Sequence, residues 1–171
     1  MLFRSRDGAC IVVVAPPATY RGRFHVIEKI TLHDVSWPAQ ADVIKDLCRK
    51  YHVQRITIDR TGPGDGVCEY VQLFFPRADG IYYTPESKTK LVLKAQQVIG
   101  DSRISWDASW SDIAAGFLQI KRSAGNRSDK ILYYANRSEK TGHADAAWAI
   151  MQALSNEDLI LPDQARKSTW G

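Results

Sequence analysis

Hydrophobic and polar positions follow two different periods along this chain, and the periods alternate. Continuous or every-second apolar runs bounded by proline or glycine favour strands, whereas apolar positions three and four apart favour helices. The first pattern predicts five strands, at residues 9–15, 24–32, 53–59, 80–84 and 131–135. The second pattern predicts five helices, at residues 38–51, 67–75, 88–99, 112–122 and 144–155.

The order of these elements predicts an α/β domain with a mixed sheet. A tight turn at residues 20–23 joins the first two strands, which favours an antiparallel hairpin. The later alternation of strands and helices favours parallel neighbours. We expect the first strand also to lie beside the strand that ends at Asp59. Periodicity stops near residue 157, so we expect a domain at residues 1–156 and a loose tail at 157–171.

Length, charge and hydropathy exclude some classes of protein. A chain of 171 residues suits one domain, and its net charge of +4 permits a polyanionic partner without requiring one. No apolar run approaches the ~20 residues of a membrane span, and the first residues do not form a signal-peptide pattern. Three cysteines without a CxxC spacing favour free thiols. We therefore expect a cytoplasmic protein with no membrane partner.

A carboxylate stands at the end of the third predicted strand. Asp59 follows Ile-Thr-Ile and precedes a turn that contains Gly62, Gly64 and Gly66. Functional groups gather at the carboxyl ends of strands in α/β sheets, so Asp59 is a candidate metal ligand. The alternative is an aspartate that caps the turn. The segment has neither the Gly-Lys-Ser/Thr of a P-loop nor the dinucleotide-binding spacing, which disfavours nucleotide binding.

A second carboxylate begins the last predicted helix. Asp145 follows His143 and Ala144 and precedes residues that are apolar on most helix faces, which predicts a buried helix. A charged group at a buried helix tip needs a partner, and a metal ion shared with Asp59 would supply one. The alternative is that Asp145 interacts with the helix macrodipole while His143 packs or caps the helix.

Short motifs follow one another in a fixed order over nearly the whole chain. They are Ala-Pro-Pro at 15–17, Ile-Asp-Arg-Thr-Gly-Pro-Gly at 58–64, Phe-Phe-Pro at 74–76, Tyr-Thr-Pro-Glu-Ser-Lys at 83–88, Leu-Val-Leu-Lys-Ala at 91–95, Asn-Arg-Ser at 136–138 and Gly-His-Ala-Asp-Ala-Ala-Trp-Ala at 142–149. This ordered set resembles the C-terminal nuclease domain of the large terminase subunit of tailed phages, closest to the P2-like type. A prophage-encoded chain is expected from this resemblance, and an excised domain, a truncated prophage gene and a misassigned start codon are the alternatives.

The resemblance implies a fold, an activity and partners. The implied fold is RNase H-like, with a mixed sheet flanked by helices. The implied activity is that of a metal-dependent endodeoxyribonuclease, which uses Mg²⁺ or Mn²⁺ to cut concatemeric double-stranded DNA during genome packaging. In a full-length protein the implied partners are the ATPase domain, the small terminase subunit and the portal, in the cytoplasm of the bacterial host.

The resemblance also implies a site built from three acids. Asp59 and Asp145 match the second and third acids of the family. The first acid lies on an opening strand, and the matching region here starts near Asp7, so we expect that strand, its acid and the ATPase domain to be missing. Asp7 is then expected near the site as an outer metal ligand. His143 is expected to orient water or to contact the scissile phosphate.

Basic residues near these motifs are candidates for DNA contacts. Lys88, Lys90 and Lys94 fall on one predicted helix, and Arg137 precedes the segment with Asp145. They are expected to contact phosphates, which position DNA without reading its sequence. The alternative is a solvated basic face. Because the first of the three acids is expected to be missing, a second function is also open: a catalytically impaired prophage remnant that only binds DNA or a capsid partner.

Overall fold

The computed structural model describes residues 8–124, 131–135 and 144–157, which form an α/β domain as predicted. Its strands are β1 (Ala9–Ala15), β2 (Phe24–Leu32), β3 (Thr57–Asp59), β4 (Asp79–Ile81), β5 (Ile104–Ser105), β6 (Ile120–Ala124) and β7 (Ile131–Ala135). Its helices are α1 (Trp37–Lys50), α2 (Gly64–Gln72), α3 (Pro85–Gly100), α4 (Ser111–Gln119) and α5 (Asp145–Ala153). The predicted tail lies outside the described residues from residue 158 onward.

The first two strands form the antiparallel hairpin that the sequence predicts. Their register runs from Ala9 opposite Leu32 to Ala15 opposite His25, with a bulge between Val13 and Val14. The short β5 pairs with β2 in parallel, so this three-stranded sheet has the order β1-β2-β5 and is mixed.

The remaining strands form two separate ladders. β3 and β4 pair in parallel, with Asp59 opposite Ile81, whereas β6 and β7 pair antiparallel. Among the described residues, β1 pairs only with β2 and β3 only with β4. The expectation that β1 lies beside β3 as a neighbour in one sheet is therefore wrong for this part of the chain. The two strands instead line one open cleft without pairing.

Helix α5 lies in the main apolar core, as its sequence predicts. It packs on β1, α3 and α4, and its side chains Ala147, Ile150 and Met151 are buried. Full burial of a side chain of the size of Ile150 or Met151 contributes about 1.5–3 kcal/mol. A smaller core lies between α1 and α2, around Val67 and Val71. Within the described ranges, no helix is both long and apolar enough to cross a membrane.

Several element boundaries differ from the predictions because strand pairing decides them. β3 begins at Thr57 rather than at residue 53, since β4 offers only three partners, from Asp79 to Ile81. Two strands escaped prediction. β5 has only two residues, and β6 takes the end of the predicted helix 112–122 because Ile120 pairs with Ala135 of β7.

Helix starts also differ from the predictions. α2 begins at Gly64 instead of residue 67, and α3 begins at Pro85 instead of residue 88. The Thr84 hydroxyl accepts a hydrogen bond from the Ser87 backbone, and the Ser87 hydroxyl accepts one from the Thr84 backbone. This reciprocal cap satisfies two backbone donors and brings the first turn of α3 into the helix.

Candidate functional site

Two glycines shape the turn that carries Asp59 at the end of β3. Gly62 has a positive φ of 70°, a conformation that side chains with a Cβ rarely adopt. A Cβ atom on Gly64 would lie 1.7 Å from the Asp59 carbonyl oxygen, so only glycine lets α2 begin this close to the strand end. The glycine-rich motif therefore serves to turn the chain sharply at Asp59.

The Asp59 side chain also stabilises this turn. Its Oδ1 accepts a hydrogen bond from the Thr61 backbone N–H at 2.8 Å. The turn-capping interpretation is thus correct for one carboxylate oxygen. It does not compete with metal binding, because an ionised carboxylate has about four lone-pair sites. The hydrogen bond restricts rotation of the Asp59 carboxylate and so orders it before any metal ion binds.

Asp145 is the first residue of α5, and its side chain is exposed, whereas Ala146 and Ala147 after it are buried. The expectation of a charge at a buried helix tip is therefore wrong, and burial does not require a metal there. A negative charge in the first turn interacts favourably with the helix dipole.

Asp59 and Asp145 line the same cleft, which has a volume of about 2610 Å³. Helix α5 also packs against β3. Burial raises the pKa of the Tyr83 hydroxyl far above its usual range, the hydrogen bond from Gln152 opposes this, and the charges of Asp59 and Asp145 raise it further. Both carboxylates therefore act on one phenol that lines the same cleft.

An aromatic wall with a cation lies beside the two acids. The rings of Tyr83 and Trp148 have their centroids 5.3 Å apart. The Lys88 ammonium lies 5.3 Å from the Tyr83 centroid and 5.5 Å from the Trp148 centroid, within the range of cation–π attraction. All three side chains line the cleft, so Lys88 is one of the predicted basic residues found next to the acids.

The other predicted site residues have different placements. Lys90 is exposed on α3. Lys94 is only 7% exposed, and its ammonium donates a hydrogen bond to the Ser155 carbonyl. Lys94 is therefore withdrawn from any surface that DNA would contact, and the expectation of a DNA contact there is wrong. Asp7, His143 and Arg137 lie outside the described residues.

Sequence reasoning assigned no role in the site to Tyr83 or Trp148. Tyr83 lies in one of the ordered motifs, but a tyrosine after a strand carries no chemical signal by itself. Trp148 lies in the predicted buried helix, where a packing role is the ordinary expectation for a tryptophan. Its position three residues after Asp145 places both on one helix face, and that spacing is a signal that reasoning from the sequence left unused.

The acids fit one divalent cation better than two. Among the described residues, no cluster of three or more His, Cys, Asp or Glu side chains is placed to hold a metal ion. Asp59 and Asp145 offer carboxylate oxygens, the ligand class that Mg²⁺ and Mn²⁺ prefer. Mg²⁺ commonly binds through one or two carboxylates together with water and substrate phosphate oxygens. The donor set therefore matches a single ion of this kind.

The fold matches a nuclease domain of known structure. The large terminase nuclease from thermophilic phage G20c, solved with bound magnesium, superposes with a TM-score of 0.66 at 13% identity, over 88% of this chain and 82% of that one. Its cobalt-bound structure gives a TM-score of 0.65, also at 13% identity and over the same shares of the two chains. At this identity the likeness shows the fold alone, and it confirms the expected RNase H-like architecture with a mixed sheet.

Two curated phage proteins are similar in sequence. The terminase ATPase subunit of Escherichia phage P2 is 42% identical over 153 residues, which are 90% of this chain and 26% of that protein. The probable terminase ATPase subunit of Haemophilus phage HP1 is 38% identical over 164 residues, which are 95% of this chain and 27% of that protein. The chain spans about a quarter of the length of these relatives. The family model described as the terminase RNaseH-like domain matches residues 4–157, and the chain belongs to this family.

Proposed function

We propose that this chain is the metal-dependent endodeoxyribonuclease domain of a terminase large subunit and cuts concatemeric DNA during packaging. One observation carries the proposal: Asp59 and Asp145, distant in sequence, line one cleft and act on the same Tyr83 hydroxyl. The relatives support it, because the solved G20c domain is a nuclease with bound magnesium and the P2 relative is a terminase subunit.

Asp59 and Asp145 would hold one Mg²⁺ or Mn²⁺ ion. A bound ion of this kind activates a water molecule and stabilises the leaving oxygen of a phosphodiester. The Thr61 hydrogen bond orders Asp59 before any ligand arrives, which lowers the entropic cost of binding. Tyr83, whose raised pKa keeps it neutral, adds no further negative charge beside the acids.

DNA would approach over the basic side of this cleft. Lys88 lies over the aromatic wall beside the acids, and Lys90 is exposed two residues further along α3. Both are proposed to contact phosphates, which position DNA without reading its sequence. Arg137 is proposed to add a phosphate contact, His143 to orient water and Asp7 to donate an outer metal ligand.

In a full-length protein, residues 1–156 would form the nuclease domain and act with an ATPase domain, a small terminase subunit and a portal in the host cytoplasm. Residues 157–171 would form a tail of this domain. The family and the P2 and HP1 relatives support this arrangement, because those relatives are about four times as long as the matched region.

A plasmid-cutting assay tests the proposal. We expect slow nicking or linearisation with Mg²⁺ or Mn²⁺, no cutting in EDTA, and no strong sequence preference. Asp59→Asn and Asp145→Asn should each abolish cutting, because an amide keeps the shape and removes the anionic ligand. Asp42→Asn, on the exposed face of α1, is the matched control and should cut like the unaltered chain. Cutting that persists in either site variant would contradict the proposal.

The alternative is a domain that binds DNA without cutting it. It is favoured by the finding that, among the described residues, no group of three or more His, Cys, Asp or Glu side chains is placed to hold a metal ion. Fluorescence anisotropy with a labelled duplex separates the two functions. No cutting with either cation, together with binding that Lys88→Ala weakens and Lys45→Ala does not, would support the binding module. Lys45 is an exposed lysine of α1 and serves as the control for loss of one charge.

A further inference from the structure

A second, smaller cavity lies beside the cleft, between the first turn of α3 and the β6-β7 hairpin. Its volume is about 440 Å³, which is within the range of small-ligand pockets and far above the voids of a packed protein interior. We call it the tyrosine pocket, because three of the seven described residues that line it are tyrosines. Its lining includes Tyr83, Tyr133 and Tyr134, together with Thr84, Lys88 and Ser123.

The tyrosine pocket adjoins the cleft that contains the two acids. Tyr83, Lys88 and Tyr134 line both cavities. The Tyr83 backbone N–H donates a hydrogen bond to the Thr61 hydroxyl at 2.9 Å, in the turn that follows Asp59. The pocket is therefore within reach of a DNA strand that is bound beside the acids.

Tyr134 lines the pocket from β7 and is 41% exposed. Its neighbour Tyr133 is buried in the main core and so fixes the position of β7. A single exposed tyrosine needs no functional explanation. Tyr70 on α2 is also 41% exposed, but it lines neither the cleft nor the pocket. Tyr134 differs from Tyr70 because a cavity of ligand size lies next to it.

The charges around the pocket favour an anionic group. The Lys88 ammonium lies 5.3 Å from the Tyr83 ring centroid and 5.5 Å from the Trp148 ring centroid. Lys121 is directly opposite Tyr134 in the antiparallel β6-β7 ladder, so both side chains lie on one face of the hairpin. Lys121 is exposed, and none of the described lining residues is acidic.

Tyrosine rings next to a cation fit a nucleobase that is joined to a phosphate. Bases stack on aromatic side chains with little dependence on sequence, because every base has a π-face. Lysine side chains contact the phosphates of the same strand. An aliphatic ligand would use neither the Lys88 ammonium nor the hydroxyl groups that line the pocket.

We propose that the tyrosine pocket is a nucleobase subsite, which takes one unpaired base of the DNA strand in the cleft, stacked on Tyr134 with its phosphate at Lys88. This inference rests on the proposed function, since the cleft must bind DNA, but it does not require cutting. Extracting a base from an intact duplex costs about as much free energy as one stacking contact contributes, or more. The pocket therefore selects DNA in which a base is already unpaired.

Competition binding in EDTA, where the DNA stays uncut, measures this selection with three duplexes. One is fully paired, one carries a single bulged thymine, and one carries an abasic bulge of the same flexibility. We expect the thymine bulge to bind about tenfold more tightly than the other two. Equal affinity for the thymine and abasic bulges would overturn the proposal.

Variants of this chain show whether the selection depends on the pocket. Tyr134→Ala should remove the tighter binding of the thymine bulge, whereas Tyr134→Phe should keep it, because the ring and not the hydroxyl stacks. Ser123→Trp fills the pocket while Tyr134 remains, and it should also remove the selection. Tyr70→Ala, the control with equal exposure, should keep it. Selection that survives in Tyr134→Ala, or that is lost in Tyr70→Ala, would contradict the proposal.

Photocrosslinking locates the base directly. With 5-iodouracil in place of the bulged thymine, irradiation links the base to an adjacent aromatic side chain, which mass spectrometry identifies. We expect the link at Tyr134. A link at Trp148 would place the base in the cleft and overturn the proposal. Displacement of the duplex by micromolar free thymidine monophosphate would identify a free nucleotide as the ligand, with the same consequence.

The plasmid-cutting assay separates this inference from the proposed function. Metal-dependent cutting, together with equal affinity for the three duplexes, would overturn the nucleobase subsite alone. Selection for the thymine bulge without any cutting would support the subsite and contradict the nuclease. Failure to bind any of the three duplexes would overturn both.

Discussion

The Thr61 hydroxyl oxygen accepts a hydrogen bond from the backbone N–H of Tyr83 at 2.9 Å. This bond joins the turn after Asp59 to the residue that packs on Trp148 of α5, the helix that Asp145 begins. The two acids are thus connected through protein contacts alone. Their positions are set before any cation binds, so little reorganisation would accompany the binding of a cation.

Gly64→Ala tests how tightly the turn after Asp59 is built. A Cβ there would lie 1.7 Å from the Asp59 carbonyl oxygen, so the turn must open, and we expect a loss of about 2 kcal/mol or more in the free energy of unfolding. Urea denaturation measures it. Gly100→Ala at the end of α3 is the control, since no atom lies within 4 Å of its Cβ. It should be neutral or stabilise by up to ~1 kcal/mol, and equal losses in both variants would contradict the argument.

Tyr83→Phe tests the buried hydrogen bond at the base of the site. The Gln152 amide donates to the Tyr83 hydroxyl, and Gln152 is 7% exposed. Removing the hydroxyl leaves a buried donor unpaired, which should cost about 1–3 kcal/mol in denaturant unfolding. In the double variant with Gln152→Leu, part of this cost should return, since no unpaired amide remains. Additive losses would show that the two groups do not depend on each other.

The Cys10 thiol reports on the distance between β1 and Asp145. Burial first, and the Asp145 charge second, raise the pKa of Cys10 from 9.0 to about 11. Because the thiolate is the reactive form, alkylation of Cys10 below pH 9 should be about a hundredfold slower than for an ordinary thiol, measured by mass spectrometry in EDTA.

The folded protein holds the Cys10 proton more tightly than the unfolded chain. The resulting stability is therefore present below pH 9.0 and is lost as the pH rises towards 11.

In Asp145→Asn the pH–rate profile of Cys10 should move to lower pH, because one of the charges that opposes the thiolate is removed. Asp42→Asn should leave the profile unchanged. An unchanged profile in Asp145→Asn would place this acid far from the start of β1 and would contradict the prediction.

The number of bound metal ions tests whether the two carboxylates of Asp59 and Asp145 can hold a second cation. Two cations repel each other, and the two carboxylates of Asp59 and Asp145 supply less charge than two-metal sites use. Calorimetric titration with Mn²⁺ should therefore show at most one tight site, with any second ion weak and dependent on DNA. Asp59→Asn or Asp145→Asn should remove the tight site. Two tight sites in the unaltered chain would mean that a further acid contributes, and Asp7 would be the first residue to substitute.

Supplying an upstream strand with its own aspartate should raise the cutting rate more than a substitution at Asp7 or His143 lowers it.

Local patterns predicted the elements whose side-chain periodicity is clear. The bounds of β1, β2 and β7 match the sequence prediction, and α5 is the buried helix that its apolar faces indicate. The positions of Asp59 at a strand end and of Asp145 at a helix start were also predicted, because both follow from the neighbouring residues. The ordered motifs gave the family, which the comparisons confirm.

Only the tertiary structure decided which segments meet. Ile120 begins a strand instead of extending α4 because β7 pairs with it, and no local pattern shows that partner. Lys94 has the spacing of a surface lysine, yet the Ser155 carbonyl binds its ammonium in the interior. Asp59 and Asp145 share a cleft because α5 packs against both β1 and β3. Periodicity depends on neighbours in sequence, whereas pairing and burial depend on segments that only folding brings together.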